Sequence, residues 1–269
     1  MNMKKVVKIL IIIAWALLSA GLLALLGFTI VTHDSTVCRQ YSINIDYGSA
    51  DVLVTKNDIY KIIKQTGHVL KGQQIRHINS EKIESSIRKQ PYVAGANVYV
   101  NIEGDVEIHV IQRQPILRIF NEAGESFYLD GTGQLMPLNP DFSARVMIAN
   151  GHIPEPFSKT VNYLQDSIRE KDSLQYGSVM NNLFTFALFV MKDEFLKALI
   201  QEVYVDRNGE FELVPRLSDH LILFGKPSEM KDKFDRLLLF YRKGLSVTGW
   251  HKYNVINIKF KNQVICSKI

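Results

Sequence analysis

Cysteine is nearly absent: 269 residues hold only Cys38 and Cys266. Two thiols that far apart, with no short-range spacing, make no disulfide framework, so no bridge between them is expected. Equally missing are H-E-x-x-H, C-x-x-C, G-x-S-x-G and a phosphate-cradling glycine loop. Their absence removes the best-known sequence marks of zinc, thiol-redox, acyl-transfer and nucleotide chemistry. The seven histidines are scattered from His33 to His251, and the nearest pair, His68 and His77, falls in an expected loop. Glycoside-cleaving carboxylates carry no fixed spacing. Here, however, Asp130 precedes Gly131 as a turn residue would, and Glu229, Asp232 and Asp235 alternate with Lys231, Lys233 and Arg236 as on a solvated helix face. No catalytic residue, metal site or cofactor is therefore expected.

Acids are also missing from the amino terminus, where none precedes Asp34. Lys4, Lys5 and Lys8 lead instead into 9–31, twenty-three residues without a charge. At 1.5 Å per residue that run spans roughly 34 Å, enough to cross a bilayer core of about 30 Å. The basic flank places residues 1–8 in the cytoplasm and exports the rest. A cleaved signal peptide is the rival, but its apolar region runs only about 7–15 residues, and Thr29-Ile30-Val31-Thr32-His33 is a poor processing site. Export would permit oxidation of the two thiols without requiring it. The formal charge of +5 includes the three leading lysines, so the exported part carries only +2, with its charges interspersed. Nothing there resembles the basic stripe of a nucleic-acid binder.

The stretch 38–114 reads as a small α/β unit. Tyr41, Ile43 and Ile45 alternate with polar residues as a strand; Thr55 and Asp58 form a capping box ahead of Ile59, Ile62 and Ile63, and Gly67 ends that helix. Asn79 caps a second helix carrying Ile83 and Ile87, with Ile78 as the outer half of a hydrophobic staple and Pro91 as its stop. Val98, Val100 and Ile102, then Val106, Ile108 and Val110, form a hairpin around Glu103-Gly104-Asp105. The expected product is a three-stranded sheet covered by two helices.

Arg113 and Pro115 mark a junction, and 115–269 reads as a larger mixed β domain with flanking helices. Helical spacing recurs at Phe184, Ala187, Leu188 and Met191, and again at Phe195, Leu196, Leu199 and Ile200. A hairpin turns at Asn208-Gly209. After a strand near Leu221–Phe224, an amphipathic helix presents Met230, Phe234, Leu237, Leu238 and Tyr241 inward and is expected to stop at Gly244. Ile256, Ile258 and Phe260 read as a half-buried strand, and Gln263 to Ser267 as a last strand at a sheet edge. The fold class is thus α+β: a transmembrane helix, a small α/β domain and a larger mixed β-sheet domain.

Several passages together resemble the FtsQ/DivIB family of bacterial division proteins over essentially the whole chain. They are Asn79-Ser80-Glu81-Lys82-Ile83 through Gln90-Pro91-Tyr92-Val93, Val110-Ile111-Gln112-Arg113-Gln114-Pro115, Tyr128-Leu129-Asp130-Gly131, and Ile256 through Gln263. The resemblance implies that 38–114 is a POTRA-like domain. It further implies a non-enzymatic divisome scaffold in the inner membrane at the septum, its bulk periplasmic, recruiting FtsB and FtsL. In that family the partner adds a strand at the C-terminal edge, which points here to Gln263, Val264, Ile265, Cys266 and Ser267, with Lys259 and Phe260 as a basic and an aromatic contact. A proline at Ile265 is expected to strip one donor from that edge. The rival reading is a single-pass sensor whose exported domain binds a peptide or cell-wall fragment, which would need a pocket with converging polar groups.

Overall fold

The computed structural model describes residues 13–24, 36–67, 70–101, 103–157, 179–217 and 219–268. Residues 13–24 are helical (α1), and Trp15, Leu17 and Leu23 on it are 68–69% exposed. Among the described residues no helix is long and apolar enough to cross a membrane. The rest of 9–31, both ends of the apolar run included, lies outside the described residues. So do His68 and Ile102.

The chain divides into two compact units, one holding the chain up to Asp46 with Val54–Gln112, the other holding Tyr47–Leu53 with Arg113–Ile269. In the first, β1 (Tyr41–Asp46), α2 (Lys56–Gln65), α3 (Ser80–Arg88), β2 (Val93–Val100) and β3 (Val106–Gln112) build a sheet of order β1-β3-β2. Local chemistry starts both helices. The Thr55 hydroxyl accepts from the Asp58 N–H while Asp58 accepts from the Thr55 N–H at 3.0 Å, and Asn79 accepts from the Lys82 N–H at 2.8 Å. Each cap satisfies donors that the first helical turn leaves unpaired. Ile59, Ile62, Ile63, Ile83 and Ile87 then pack against Val106, Ile108 and Val110, with the Ile78 staple residue in the same cluster. β1 joins β3 in parallel, a pairing that needs a long crossover, which the two helices and β2 supply.

The second unit is built on a nine-stranded mixed sheet. Its strands are β4 (Pro115–Phe120), β5 (Ser126–Asp130), β6 (Leu135–Pro137), β7 (Met147–Gly151), β8 (Ile200–Val205), β9 (Phe211–Pro215), β10 (Leu221–Gly225), β11 (Tyr253–Asn257) and β12 (Ile265–Lys268), in the order β12-β11-β10-β9-β8-β7-β4-β5-β6. β4–β7, β7–β8 and β10–β11 are parallel and the rest antiparallel. Helices α4 (Val179–Met191), α5 (Glu194–Leu199) and α6 (Met230–Phe240) contribute to its core. Phe186 of α4 is the hub, with edge-on contacts to Phe211 and Phe224 at 5.4 and 5.3 Å. Phe234 of α6 lies 5.0 Å from Phe224. Aromatic pairs at such spacings add to the burial of their area.

Three expectations need correction. The helix does not stop at Gly244: α6 runs on through a wider π turn, Tyr241–Leu245, and a last turn, Ser246–Thr248, before Gly249 at φ +94°. Gly244 serves packing instead, since a Cβ there would sit 2.6 Å from the Phe240 ring. Lys233 is not on a solvated face but 4% exposed, because its ammonium donates to the Lys226 carbonyl at 2.6 Å and lies 4.7 Å from the Phe224 ring centroid. Finally, β11 ends at Asn257, so Ile258 is buried while Phe260, beyond the strand, is 49% exposed rather than half-buried in a sheet.

Candidate functional site

The two sheets end in four edge strands, β1, β2, β6 and β12, and an edge is where unpaired backbone groups can take another chain. Two of the four are obstructed and a third runs beside a helix. β6 is three residues long and ends in Pro137, which lacks a donor. β2 is closed by α3: the Glu84 carboxylate accepts from the Val98 N–H at 2.8 Å, an Arg88 guanidinium nitrogen donates to the Ala96 carbonyl, and the two side chains pair at 3.1 Å. β1 is bordered by α2, whose Tyr60 stacks on Tyr41 with ring centroids 6.5 Å apart.

β12 differs. It pairs antiparallel with β11, Ile256 opposite Cys266 and Asn257 opposite Ile265, and among the described residues no strand lies on its other side. The direction of its backbone groups follows from the neighbouring ladder. Ile258 N–H donates to the Leu223 carbonyl at 3.0 Å, and Leu223 stands opposite Asn257 in the parallel β10–β11 pair. Even-numbered residues of β11 therefore address β10, whereas Val255 and Asn257 address β12. Val255 and Asn257 stand opposite Ser267 and Ile265. The N–H and C=O groups of Ile265 and Ser267 are thus used inside the sheet and those of Cys266 point outward; those of Lys268 follow by alternation along β12, because the register shift that sets Tyr253 opposite Lys268 inserts its extra residue in β11. A proline at Ile265 would break the β11–β12 ladder rather than strip the free edge, contrary to the sequence expectation.

Side chains alternate in the same rhythm. Ile265 is 46% exposed, while Cys266 packs against the core and its thiol is pushed above its ordinary pKa by burial. A raised thiol pKa makes Cys266 a poor nucleophile near neutral pH. Gln263 and Val264 precede β12 rather than forming part of it, Val264 packing on the core and Gln263 lying exposed in the approach from the Asn262 turn at φ +59°. The Lys259 ammonium is already engaged with the Glu210 carboxylate at 2.6 Å, and Lys261 pairs with Glu229 at 2.7 Å. The Lys261 hydrogen bond holds the Glu229 carboxyl below its ordinary pKa and raises that of Lys261. Any carboxylate brought to Lys259 must compete with Glu210. Phe260 is an exposed aromatic close in sequence to the edge strand.

The junction residues sit elsewhere and hold a turn. Arg113 Nη1 donates to Asp130 Oδ2 at 2.8 Å, and Asp130 Oδ1 accepts from the Thr132 N–H, the Thr132 hydroxyl and the Gln134 N–H at 2.7–2.9 Å. With Asp130 1% exposed, these bonds replace its lost hydration. Pro115 opens β4 opposite Asp130, where a missing donor is tolerated. Among the described residues no group of three or more His, Cys, Asp or Glu could hold a metal ion. The Glu84–Arg88 clasp on β2 escaped the sequence reading, although the i,i+4 spacing of an acid before a base on a helix was visible.

Comparison with known proteins bears on both units. A family model described as FtsQ/DivIB, C-terminal related, matches residues 114–267, and a POTRA-like domain model matches residues 36–111. No curated protein matches the chain.

Proposed function

The chain belongs to the FtsQ/DivIB C-terminal-related family, and on that premise we propose that it is a cell-division scaffold that recruits division partners by lending them the outer edge of β12. The observation that carries the proposal is the orientation of β12: Cys266 and Lys268 direct their backbone groups away from the sheet, while the other edges are shortened, clasped or bordered by a helix. An extended segment of an FtsB-like or FtsL-like protein would pair there, main-chain hydrogen bonds supplying affinity and alternate side chains selectivity. Ile265, Phe260 and the approach at Gln263 and Val264 offer side-chain contacts, and Lys259 offers a charge contact once released from Glu210. Ser267 contributes from the solvent face of the strand.

We place the chain in the inner membrane through 9–31, with its bulk in the periplasm at the septum; the uncharged run and the exposed apolar surface of α1 support that reading. The proposed role is assembly and not catalysis. The test is co-purification of the full chain, solubilised in detergent, with the ectodomains of FtsB-like and FtsL-like proteins from the same cell. A complex lost on substitution of Cys266 by proline supports recruitment at β12. A complex that forms equally well with that variant refutes the edge, and no complex with either partner refutes the recruitment.

A further inference from the structure

The second unit contains a cavity of about 280 Å³ far along the sheet order from β12, lined by parts of the chain that are distant in sequence. Arg145 comes from the segment ahead of β7, Lys197 from α5 and Arg216 from just past β9. Among the described residues Asp51 is the only acid lining it, and its carboxylate already accepts from the Arg145 N–H at 2.8 Å. Neither Arg145 nor Arg216 makes an ion pair among the described residues. Lys197 has only Glu194, at 3.6 Å and 87% exposed. A surface pair of that kind holds its cation weakly. The backbone under two of the cations is pinned, Arg145 by Asp51 and Arg216 by its N–H donating to the Leu199 carbonyl at 2.8 Å.

Three cations face a single lining acid, Asp51, so the lining carries a net positive charge in an exported region that is otherwise nearly neutral. An anion entering the cavity offsets that charge and can accept charge-assisted hydrogen bonds from the lining cations. The rest of the lining sets Ile116, Met147 and Met191 beside the polar Ser49 and Gln114, so an apolar patch adjoins the charged part. The volume falls just below the usual range of small-molecule sites, about 300–1,000 Å³, and so suits only a small ligand. From charge, wall and size together we infer that the cavity binds a small carboxylate carried on a short aliphatic body. Two sources share that chemistry: a free organic acid and the C-terminal residue of a short peptide.

The site is independent of strand addition at β12, so it can be tested separately. The full chain in detergent is titrated, with ligand-observed NMR, against hexanoate, acetyl-alanyl-leucine, their neutral amides and inorganic phosphate. Saturable binding of one or both acids, at least tenfold weaker for the amides and for phosphate, is the expected result. Preference for hexanoate assigns the free-acid source and preference for the dipeptide the peptide source. The double substitution Arg145→Gln and Arg216→Gln, and separately Lys197→Gln, should each weaken acid binding about tenfold or more while leaving partner capture at β12 unchanged. Should a variant unfold, the remaining one and the amide comparison still decide. Absence of saturable acid binding, amides binding as tightly as acids, phosphate binding as tightly as either acid, or affinity indifferent to all three substitutions would overturn the inference.

Discussion

Replacing Cys266 by proline isolates the outer edge of β12 from the rest of the fold. The Cys266 N–H points away from β11, so the internal ladder through Ile265 and Ser267 survives its loss. Proline is also tolerated on an edge strand. A strand docked on this edge would use the N–H and C=O of Cys266 and Lys268, each hydrogen bond contributing roughly 0.5–1.5 kcal/mol net. Removing one donor opposite a partner carbonyl that is then left without water costs about 1–3 kcal/mol. That corresponds to a loss of about fivefold to 150-fold in Kd. Cys266 also packs on the core, so Cys266→Ala serves as the control for lost thiol contacts. Titration calorimetry of the two variants against an FtsB-like ectodomain should separate them, alanine binding nearly as the parent and proline weakly. Ile265→Pro should do the reverse in a melting experiment, since it takes a donor from the β11–β12 ladder and lowers stability even without partner. Affinity unchanged in Cys266→Pro, or stability unchanged in Ile265→Pro, would refute the assignment of inward and outward backbone groups.

Three further outcomes follow from the interior. Arg113→Ala leaves the buried Asp130 without its charged donor, and urea titration should show a loss of roughly 1–3 kcal/mol, moderated by the three remaining turn hydrogen bonds. Glu84→Ala uncovers the Val98 N–H and releases Arg88; a cost of about 1–3 kcal/mol is expected, together with concentration-dependent association in gel filtration as the β2 edge opens. His220 is 2% exposed, with Nε2 2.6 Å from the Tyr241 hydroxyl, and burial holds its pKa below the ordinary value against the opposing charge of Asp219. Its unfolded form therefore takes up a proton first. Stability is complete above about pH 6.5 and declines as pH falls below it toward the folded-state pKa. Melting temperature followed from pH 7.5 to 5 should fall, and His220→Phe should flatten that slope.

Elements whose cause is local were legible in the sequence. The Thr55–Asp58 box, the Asn79 cap, the isoleucine stripes and the Asn208-Gly209 turn each involve residues a few positions apart, and each is present in the structure. Asp130 likewise organises a turn, as its place before Gly131 implied. What could not be read are relations between distant residues. Nothing near Lys233 in sequence shows that the Lys226 carbonyl and the Phe224 ring will receive its ammonium, so a run of charges looked solvated. Gly244 resembled a helix stop because its role, room for the Phe240 ring, is invisible to composition. The last strand was visible as alternation, but its facing was not. That depends on the register β11 takes against β10, which only the assembled sheet defines. The cations lining the cavity, at 145, 197 and 216, share no spacing at all.

Amide hydrogen exchange at residues 265–268, measured on the full chain with and without an FtsB-like ectodomain, tests strand addition most directly. In the free chain, Ile265 and Ser267 should be protected and Cys266 and Lys268 should exchange freely; on complex formation Cys266 and Lys268 should become protected in turn. Protection of Cys266 and Lys268 before any partner is added, or their continued rapid exchange in a formed complex, would contradict recruitment through this edge.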